Sequence, residues 1–117
     1  MKATYETGLL GEAEAERYLT GKGMKCLDRR YRACGGEIDL IMAERDIIVF
    51  VEVKYRPEGA AGSGLMAIDR NKCRRLSRAA FAYLTKNGLN GHPARFDVVE
   101  ISRGGILHIP NAFPAVS

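Results

Sequence analysis

Four charged side chains interrupt two apolar runs between residues 36 and 56. They are Glu37, Asp39, Glu52 and Lys54, and the segment reads GEIDLIMAERDIIVFVEVKYR. The remaining positions are mostly Ile, Val, Leu and Phe, which are typical of a buried strand. Carboxylates in such surroundings require a positive partner, either a cationic side chain or a metal ion. The residue types and their spacing therefore raise the question of metal-dependent chemistry.

The connection between the two runs is too short for anything but a β-hairpin. A two-residue turn at residues 45–46 and a four-residue turn give the same strand register. In that register Asp39 lies opposite Glu52, and Glu37 lies opposite Lys54. A three-residue turn would separate the charged side chains and place charge on the face formed by the valines. The pattern of burial therefore favours the register that brings the acids together.

Opposed carboxylates repel each other, because directly paired residues have Cβ atoms roughly 4.5–5.5 Å apart. Lys54 or a divalent metal ion would relieve this repulsion between Asp39 and Glu52. Carboxylate oxygens and a backbone carbonyl suit a hard ion such as Mg²⁺, and a metal, an activated water and an ammonium group together can hydrolyse phosphodiesters. The same residues also fit a solvent-facing ladder of ion pairs, Glu37 with Lys54 and Asp39 with Arg56. The apolar flanks favour the metal site.

Two helices and five strands are predicted to position the hairpin. The helices span Thr7–Lys22 and Ile68–Asn87, and the strands span Met24–Tyr31, Glu37–Ala43, Ile47–Tyr55, Arg95–Ile101 and Ile106–Ile109. A flexible, glycine-rich loop is expected at about 57–66, and Pro110 is expected to stop the last strand because it lacks an N–H group. The order α-β-β-β-α-β-β predicts a single α/β domain over residues 1–117, a small mixed β-sheet flanked by helices.

The two predicted helices differ in character. On the first, Leu9, Ala13 and Leu19 form the expected packing arc, and the acids Glu12 and Glu16 fall within it. On the second helix, arginines with i, i+4, i+8 spacing form a row opposite the apolar stripe, and Arg75 lies to one side of this row. Lys72 falls on the apolar arc and is expected to point toward the sheet. The row consists of Arg70, Arg74 and Arg78. It suits phosphate binding and equally suits a solvated face, while Phe81 nearby is placed to stack on a base or pack on a partner.

Composition and charge narrow the class of protein. A chain of 117 residues with a net charge of +4 fits one globular domain, and the positive charge is concentrated in residues 45–117, which carry a net +5. The three cysteines form no Cys-x-x-Cys pair, so neither a zinc ribbon nor a disulfide framework is indicated. With no signal segment or membrane span in the sequence, a cytoplasmic protein that interacts with nucleic acid and not with membranes is expected.

The central motif resembles that of a known class of nuclease. Asp39 followed across a hairpin by Glu52-Val53-Lys54 resembles the D…E-x-K core of restriction-endonuclease-like nucleases. The wider pattern, from about Gly8 to Phe113, resembles the YraN family of uncharacterised bacterial proteins, which is similar to archaeal Holliday-junction resolvases. The matching stretches are Gly11-Glu12 with Ala15, Tyr18-Leu19, Gly36 to Ile41, Val49 to Lys54 with Arg56, Lys72, Arg75-Leu76, Arg95 to Val99, and Asn111 to Phe113.

The resemblance implies roles for individual residues. Asp39 and Glu52 would be catalytic metal ligands, the Val53 carbonyl a further ligand, Lys54 the catalytic lysine, and Glu12 a helix-borne acid at the same Mg²⁺ or Mn²⁺. Glu37 would support the site. One departure is Ile38, which stands where many nucleases of this fold have proline.

These observations predict a metal-dependent DNA endonuclease of restriction-endonuclease-like fold, acting on branched or otherwise processed DNA. The expected nucleic-acid contacts are Arg56, Arg70, Lys72, Arg74, Arg75 and Arg78. Two alternatives use the same fold: a non-catalytic nucleic-acid-binding module and a protein-interaction subunit. The sequence leaves the oligomeric state open between a monomer and a homodimer.

Overall fold

A five-stranded mixed sheet lies between two helices in the computed structural model, which describes residues 2–59 and 68–116. The elements are α1 (Lys2–Gly21), β1 (Lys25–Ala33), β2 (Gly36–Glu44), β3 (Ile47–Arg56), α2 (Arg70–Lys86), β4 (Ala94–Ser102) and β5 (Gly105–Phe113). The strands follow the sequence order across the sheet, and all neighbours are antiparallel except β3 and β4. A parallel pair requires a crossover, which here contains α2. The predicted α/β class is confirmed.

Each helix covers one face of the sheet. Ala15 and Leu19 of α1 pack against a cluster that includes Leu40 and Val51. The apolar stripe of α2 packs on the other face, where a second cluster is centred on Phe50. The residues that α2 contributes to this cluster are Leu76, Ala79, Ala80 and Tyr83. The result is a three-layer arrangement whose central strands are buried on both sides.

The packing side of α1 matches the prediction at Leu19 and differs from it at the other predicted positions. Gly11, Ala15 and Leu19 are buried, whereas Leu9 is 37% exposed and Ala13 is exposed. The cause is close packing: a Cβ atom added to Gly11 would lie 2.6 Å from Cβ of Tyr55. Small residues let this helix approach β3, and a prediction that weighed apolar size alone missed them.

The last strand is longer than predicted. β5 continues through Pro110 to Phe113, where the Phe113 ring stacks on Phe96 with centroids 4.8 Å apart. Because β5 is at the edge of the sheet, the missing N–H of a proline is tolerated. The pairing with β4 shifts between Phe96 and Val98, which accommodates the irregular segment.

The segments around α2 agree broadly with expectation. Asp69 caps the helix by accepting a hydrogen bond from the Lys72 N–H at 2.8 Å. Of the loop predicted at about 57–66, residues 57–59 form a turn in which the Gly59 N–H donates to the Arg56 carbonyl, and the rest lies outside the described residues. None of the helical segments within the described ranges has the length and apolar character needed to cross a membrane.

Candidate active site

The β2–β3 hairpin has a two-residue turn at Arg45 and Asp46, which is one of the two turn lengths that fit the predicted register. The paired ladder runs from the turn to Leu40 opposite Val51 and stops there, one step before the two acids. Beyond that point the Asp39 carboxylate accepts a hydrogen bond from the Val53 N–H at 2.8 Å. A side chain thus takes the place of the next backbone partner and is fixed beside β3.

Asp39 and Glu52 form a hydrogen-bonded pair of carboxyl groups. Glu52 is only 5% exposed. The pKa of Asp39 is raised to about 8, chiefly by burial. The charges of Glu52 and Glu12 and the hydrogen bond to Glu52 also raise this pKa, whereas the hydrogen bond from the Val53 N–H lowers it. Asp39 is therefore protonated at neutral pH, because its partial burial and the nearby carboxylates of Glu52 and Glu12 disfavour its charged form.

Two lysines bind the Glu52 carboxylate. The Lys54 ammonium lies 3.2 Å from Glu52 Oε2, and the Lys72 ammonium of α2 forms an ion pair with the same oxygen. Burial and the neighbouring Lys72 lower the pKa of Lys54. Burial opposes the charge on Lys72 as well, but the hydrogen bond and charge of Glu52 outweigh it, so the pKa of Lys72 is raised. The prediction that Lys72 points toward the sheet is confirmed.

Glu12 approaches the pair from α1. Its carboxylate accepts a hydrogen bond from Arg30 Nε at 2.8 Å. Burial raises the pKa of Glu12 despite this guanidinium, and the charges of Glu37 and Glu52 contribute. Glu12 is thus coupled electrostatically to the pair while Arg30 compensates its charge. Its role as a metal ligand stays a prediction.

Glu37 does not reach the position expected for it opposite Lys54. The ladder between β2 and β3 stops before these residues, and the Glu37 carboxylate instead accepts a hydrogen bond from Arg32 Nε at 2.7 Å across the β1–β2 pair. The pairing prediction assumed an unbroken ladder. It failed because the hairpin strands stop pairing at Leu40.

The predicted nucleic-acid contacts divide into two groups. Lys72 reaches the carboxyl pair, whereas Arg70, Arg75 and Arg78 are exposed along α2. The other two are Arg56, exposed at the end of β3, and Arg74, partly buried and hydrogen-bonded to Asn71 at 3.1 Å. The roles of these six residues in binding nucleic acid stay predictions.

The sequence interpretation gave no role to Glu100. This side chain is 1% exposed and belongs to β4, where it pairs in register with Lys54 of β3. Paired residues of neighbouring strands point to the same face, so Glu100 shares the face that carries Lys54. The signal was present, since Glu100 is an acid within the otherwise apolar run VVEI.

Asp97 anchors the opposite part of β4. It is fully buried, and its carboxylate accepts hydrogen bonds from Arg95 and from the Asn111 N–H and contacts His108 Nε2 at 2.7 Å. The Asp97 cluster joins β4 to the edge strand β5.

Protein ligands for a metal would come from few groups. Across residues 2–59 and 68–116, no three or more His, Cys, Asp or Glu side chains are grouped so that they could hold an ion among themselves. The assignment of Asp39, Glu52 and the Val53 carbonyl as metal ligands stays a prediction.

The sheet order, the two covering helices and the acid pair followed by Lys54 define a small restriction-endonuclease-like α/β domain. The family model described as "Uncharacterised protein family UPF0102" matches residues 11–101, and the chain belongs to this family. UPF0102 is the YraN family, so the resemblance to that family is confirmed.

Curated relatives share most of the chain. A "UPF0102 protein" of Saccharophagus degradans is 44% identical over 109 residues, which covers 92% of each chain. One of Trichlorobacter lovleyi is 40% identical over 118 residues, covering 96% of this chain and 93% of its own. Another, of a Sulfurihydrogenibium species, is 40% identical over 108 residues, covering 92% and 94%. These names state a family and no activity, so function has to be argued from the site.

Proposed function

We propose that the protein is a metal-dependent endonuclease that hydrolyses phosphodiester bonds in DNA. The observation that carries the proposal is the pair of Asp39, which is partly buried, and Glu52, which is buried; in this pair the pKa of Asp39 is raised to about 8. A divalent cation would allow both carboxyl groups to ionise. Carboxyl groups whose pKa is shifted by burial together with a specific charged neighbour cluster at functional sites.

The donor set fits Mg²⁺ or Mn²⁺. Carboxylate oxygens from Asp39 and Glu52 and the Val53 carbonyl are hard ligands, which these ions prefer, and Glu12 is the further acid nearby. When bound, such an ion would polarise a phosphodiester and lower the pKa of a bound water. With so few protein ligands, coordination positions would remain for water and phosphate.

The lysines supply positive charge and proton transfer. Burial lowers the pKa of Lys54, so its ammonium releases a proton more readily than a solvated lysine would. It lies beside Glu52, where it can orient a water or stabilise charge that develops on the phosphate. Lys72 adds a second positive charge next to the same carboxylate, which supports binding of an anionic substrate there.

The charge of α2 supports nucleic acid as the partner. This helix contains six basic and no acidic residues, in the sequence RNKCRRLSRAAFAYLTK. A row of arginines binds phosphates through charge and bidentate hydrogen bonds. The resemblance to archaeal Holliday-junction resolvases makes branched intermediates of recombination or repair the substrates to test first.

The test is a cleavage panel of linear, flapped, gapped and four-way DNA with Mg²⁺ or Mn²⁺. Wild type should cut at least one substrate, and Glu52→Gln should not, because it removes a ligand charge while keeping the shape. Glu16→Gln is the matched control, since this α1 acid pairs with the exposed Arg29 away from the carboxyl pair. Binding without cleavage would favour the non-catalytic module, and neither binding nor cleavage would favour the protein-interaction subunit.

A further inference from the structure

An open apolar groove lies between α2 and the C-terminal segment 114–116. Phe81 stands on its rim and is 67% exposed. The groove has a volume of about 420 Å³ and is also lined by Ser77, Arg78, Ala115 and Val116. The Val116 N–H donates to the Ser77 hydroxyl at 2.9 Å, which fixes the C-terminal segment as one wall. A large exposed ring beside such a groove is a feature of binding surfaces.

A second pocket lies next to the groove, on the side of Phe81 that faces the sheet. That pocket shares Ser77 and Phe81 with the groove and is lined more deeply by Phe50, Phe96 and Phe113. The same three rings lie near Glu52, where they leave no room for a water molecule. Along α2, Phe81 follows Lys72 by nine residues, which corresponds to about 14 Å. Nine residues also turn the helix by about 180°, so Lys72 faces the carboxyl pair and Phe81 faces outward, and a strand from the pair would have to pass around α2 to reach the groove.

The charges around the groove fit a polyanion. Arg78 lines the groove together with Phe81. Within the part of the chain that the structure describes, no carboxylate lies within ion-pair distance of Arg70, Arg75 or Arg78. A second copy of this chain packed symmetrically on the groove would bring two such arginine rows together, which is unfavourable. The combination of a ring and guanidinium groups instead matches a strand of nucleic acid.

We infer that the groove binds an unpaired base, stacked on Phe81, of a nucleic-acid strand whose phosphates follow the exposed arginines of α2. The inference rests on the proposed function, because it states the form of the substrate beside the cleavage site. In an intact duplex the base faces are covered by neighbouring bases, so Phe81 selects a strand with a single-stranded segment. Stacking on an aromatic ring tolerates any base sequence.

The protein contains no tryptophan, which permits a direct optical test. In Phe81→Trp the introduced indole is the sole one, and adding a short single-stranded oligodeoxynucleotide in EDTA should quench its fluorescence. A blunt duplex of the same sequence should leave the fluorescence unchanged. Absence of quenching by the single strand, or equal quenching by the duplex, would overturn the inference.

Affinity provides a second readout. Phe81→Ala should weaken single-strand binding by about 5- to 150-fold and leave duplex binding unchanged, as expected for loss of one stacked base. The control is Leu10→Ala, which removes an apolar side chain that is 63% exposed on α1, in the other layer. Equal losses on both DNAs would contradict the inference. Loss of wild-type self-association in sedimentation, with DNA binding intact, would assign the groove to a second copy.

The two proposals fail separately. Quenching and selective loss of affinity in a protein that never cuts DNA would contradict only the nuclease. Cleavage by wild type, combined with normal single-strand binding by Phe81→Ala, would contradict only the stacking site.

Discussion

Asp39 combines a structural contact with an unfavourable electrostatic environment. Its carboxyl group accepts the Val53 N–H at the point where the hairpin stops pairing, and this contact holds it against Glu52. Burial and the neighbouring acids raise its pKa to about 8. The folded protein thus keeps a protonated acid at neutral pH that the unfolded chain would ionise.

This raised pKa predicts how the stability of the metal-free protein depends on pH. Below about pH 4 Asp39 is protonated in both the folded and unfolded states, so its burial adds no pH-dependent cost. Between about pH 4 and pH 8 the unfolded chain loses the Asp39 proton, whereas the folded protein keeps it. The free energy of unfolding therefore falls by up to about 1.4 kcal/mol per pH unit as the pH rises. Thermal unfolding in EDTA should show wild type losing stability between pH 5 and 8, while Asp39→Asn loses less.

The control is Asp46→Asn, in the exposed turn of the same hairpin. It should follow the wild-type pH dependence. A wild-type curve parallel to that of Asp39→Asn would show that Asp39 has an ordinary pKa and that the acid pair is not strained.

Glu52 predicts a loss of metal affinity that does not depend on activity. Glu52→Gln removes one negative charge from the donor set, so Mn²⁺ binding measured by calorimetry should weaken by at least about tenfold. Glu16→Gln should bind Mn²⁺ like wild type, because its partner is the exposed Arg29. Equal Mn²⁺ affinities in all three proteins would remove Glu52 from the metal site.

For individual residues, the sequence predicted which side chains share a face of a strand better than it predicted their contacts with other elements. Alternation along a strand placed Glu52 and Lys54 on one face, and helical spacing pointed Lys72 toward them. The Arg30–Glu12 contact was not predicted, because Arg30 has a φ of 52°, a local conformation that nothing in its neighbours signalled.

Among the elements, α1 depends on close approach to β3. Gly11→Ala should destabilise the protein by about 1–3 kcal/mol, because the added Cβ would lie 2.6 Å from Cβ of Tyr55. Gly8 in the same helix has open space around it, so Gly8→Ala should stabilise the protein by up to about 1 kcal/mol through helix propensity. Urea unfolding of both variants measures the difference. Similar effects of the two substitutions would mean that the Gly11 contact is not tight.

The exposed face of α2 predicts a salt dependence. Reversing the charges of Arg70, Arg74 and Arg78 to Glu should weaken DNA binding and reduce the slope of log Kd against log salt by up to about three. Arg17→Glu on α1 is the control, since it changes an exposed arginine on the other helix. An unchanged affinity and slope in the triple variant would make the row an ordinary solvated face.

Elements were predictable where a periodic pattern determined them. The hairpin register followed from an even number of turn residues and from the alternation of apolar and charged residues. The packing side of α1 followed only in part: Leu19 is buried as predicted, whereas Gly11 and Ala15 were missed because they contribute through their small size. Pro110 was misread as a strand end because the position of β5 at the sheet edge is a property of the whole sheet.

For the molecule as a whole, the topology brings opposite charges to one place. α1 carries four acidic and two basic residues, and α2 carries six basic and no acidic ones. The helices cover opposite faces of the sheet, yet Glu12 from one and Lys72 from the other both interact with Glu52. The order of strands, and with it this convergence, depends on long-range pairing that local sequence patterns do not encode.

The central claim is that Lys54 acts beside a metal-binding acid pair. The most direct test compares the cleavage rates of wild type and Lys54→Ala on four-way and flapped DNA with Mg²⁺ or Mn²⁺. Removing the ammonium leaves Asp39 and Glu52 in place, so Mn²⁺ binding should be retained while the cleavage rate falls by about 10²–10³. Cleavage by Lys54→Ala at the wild-type rate, or a wild-type protein that cuts neither substrate with either metal, would contradict the proposed nuclease.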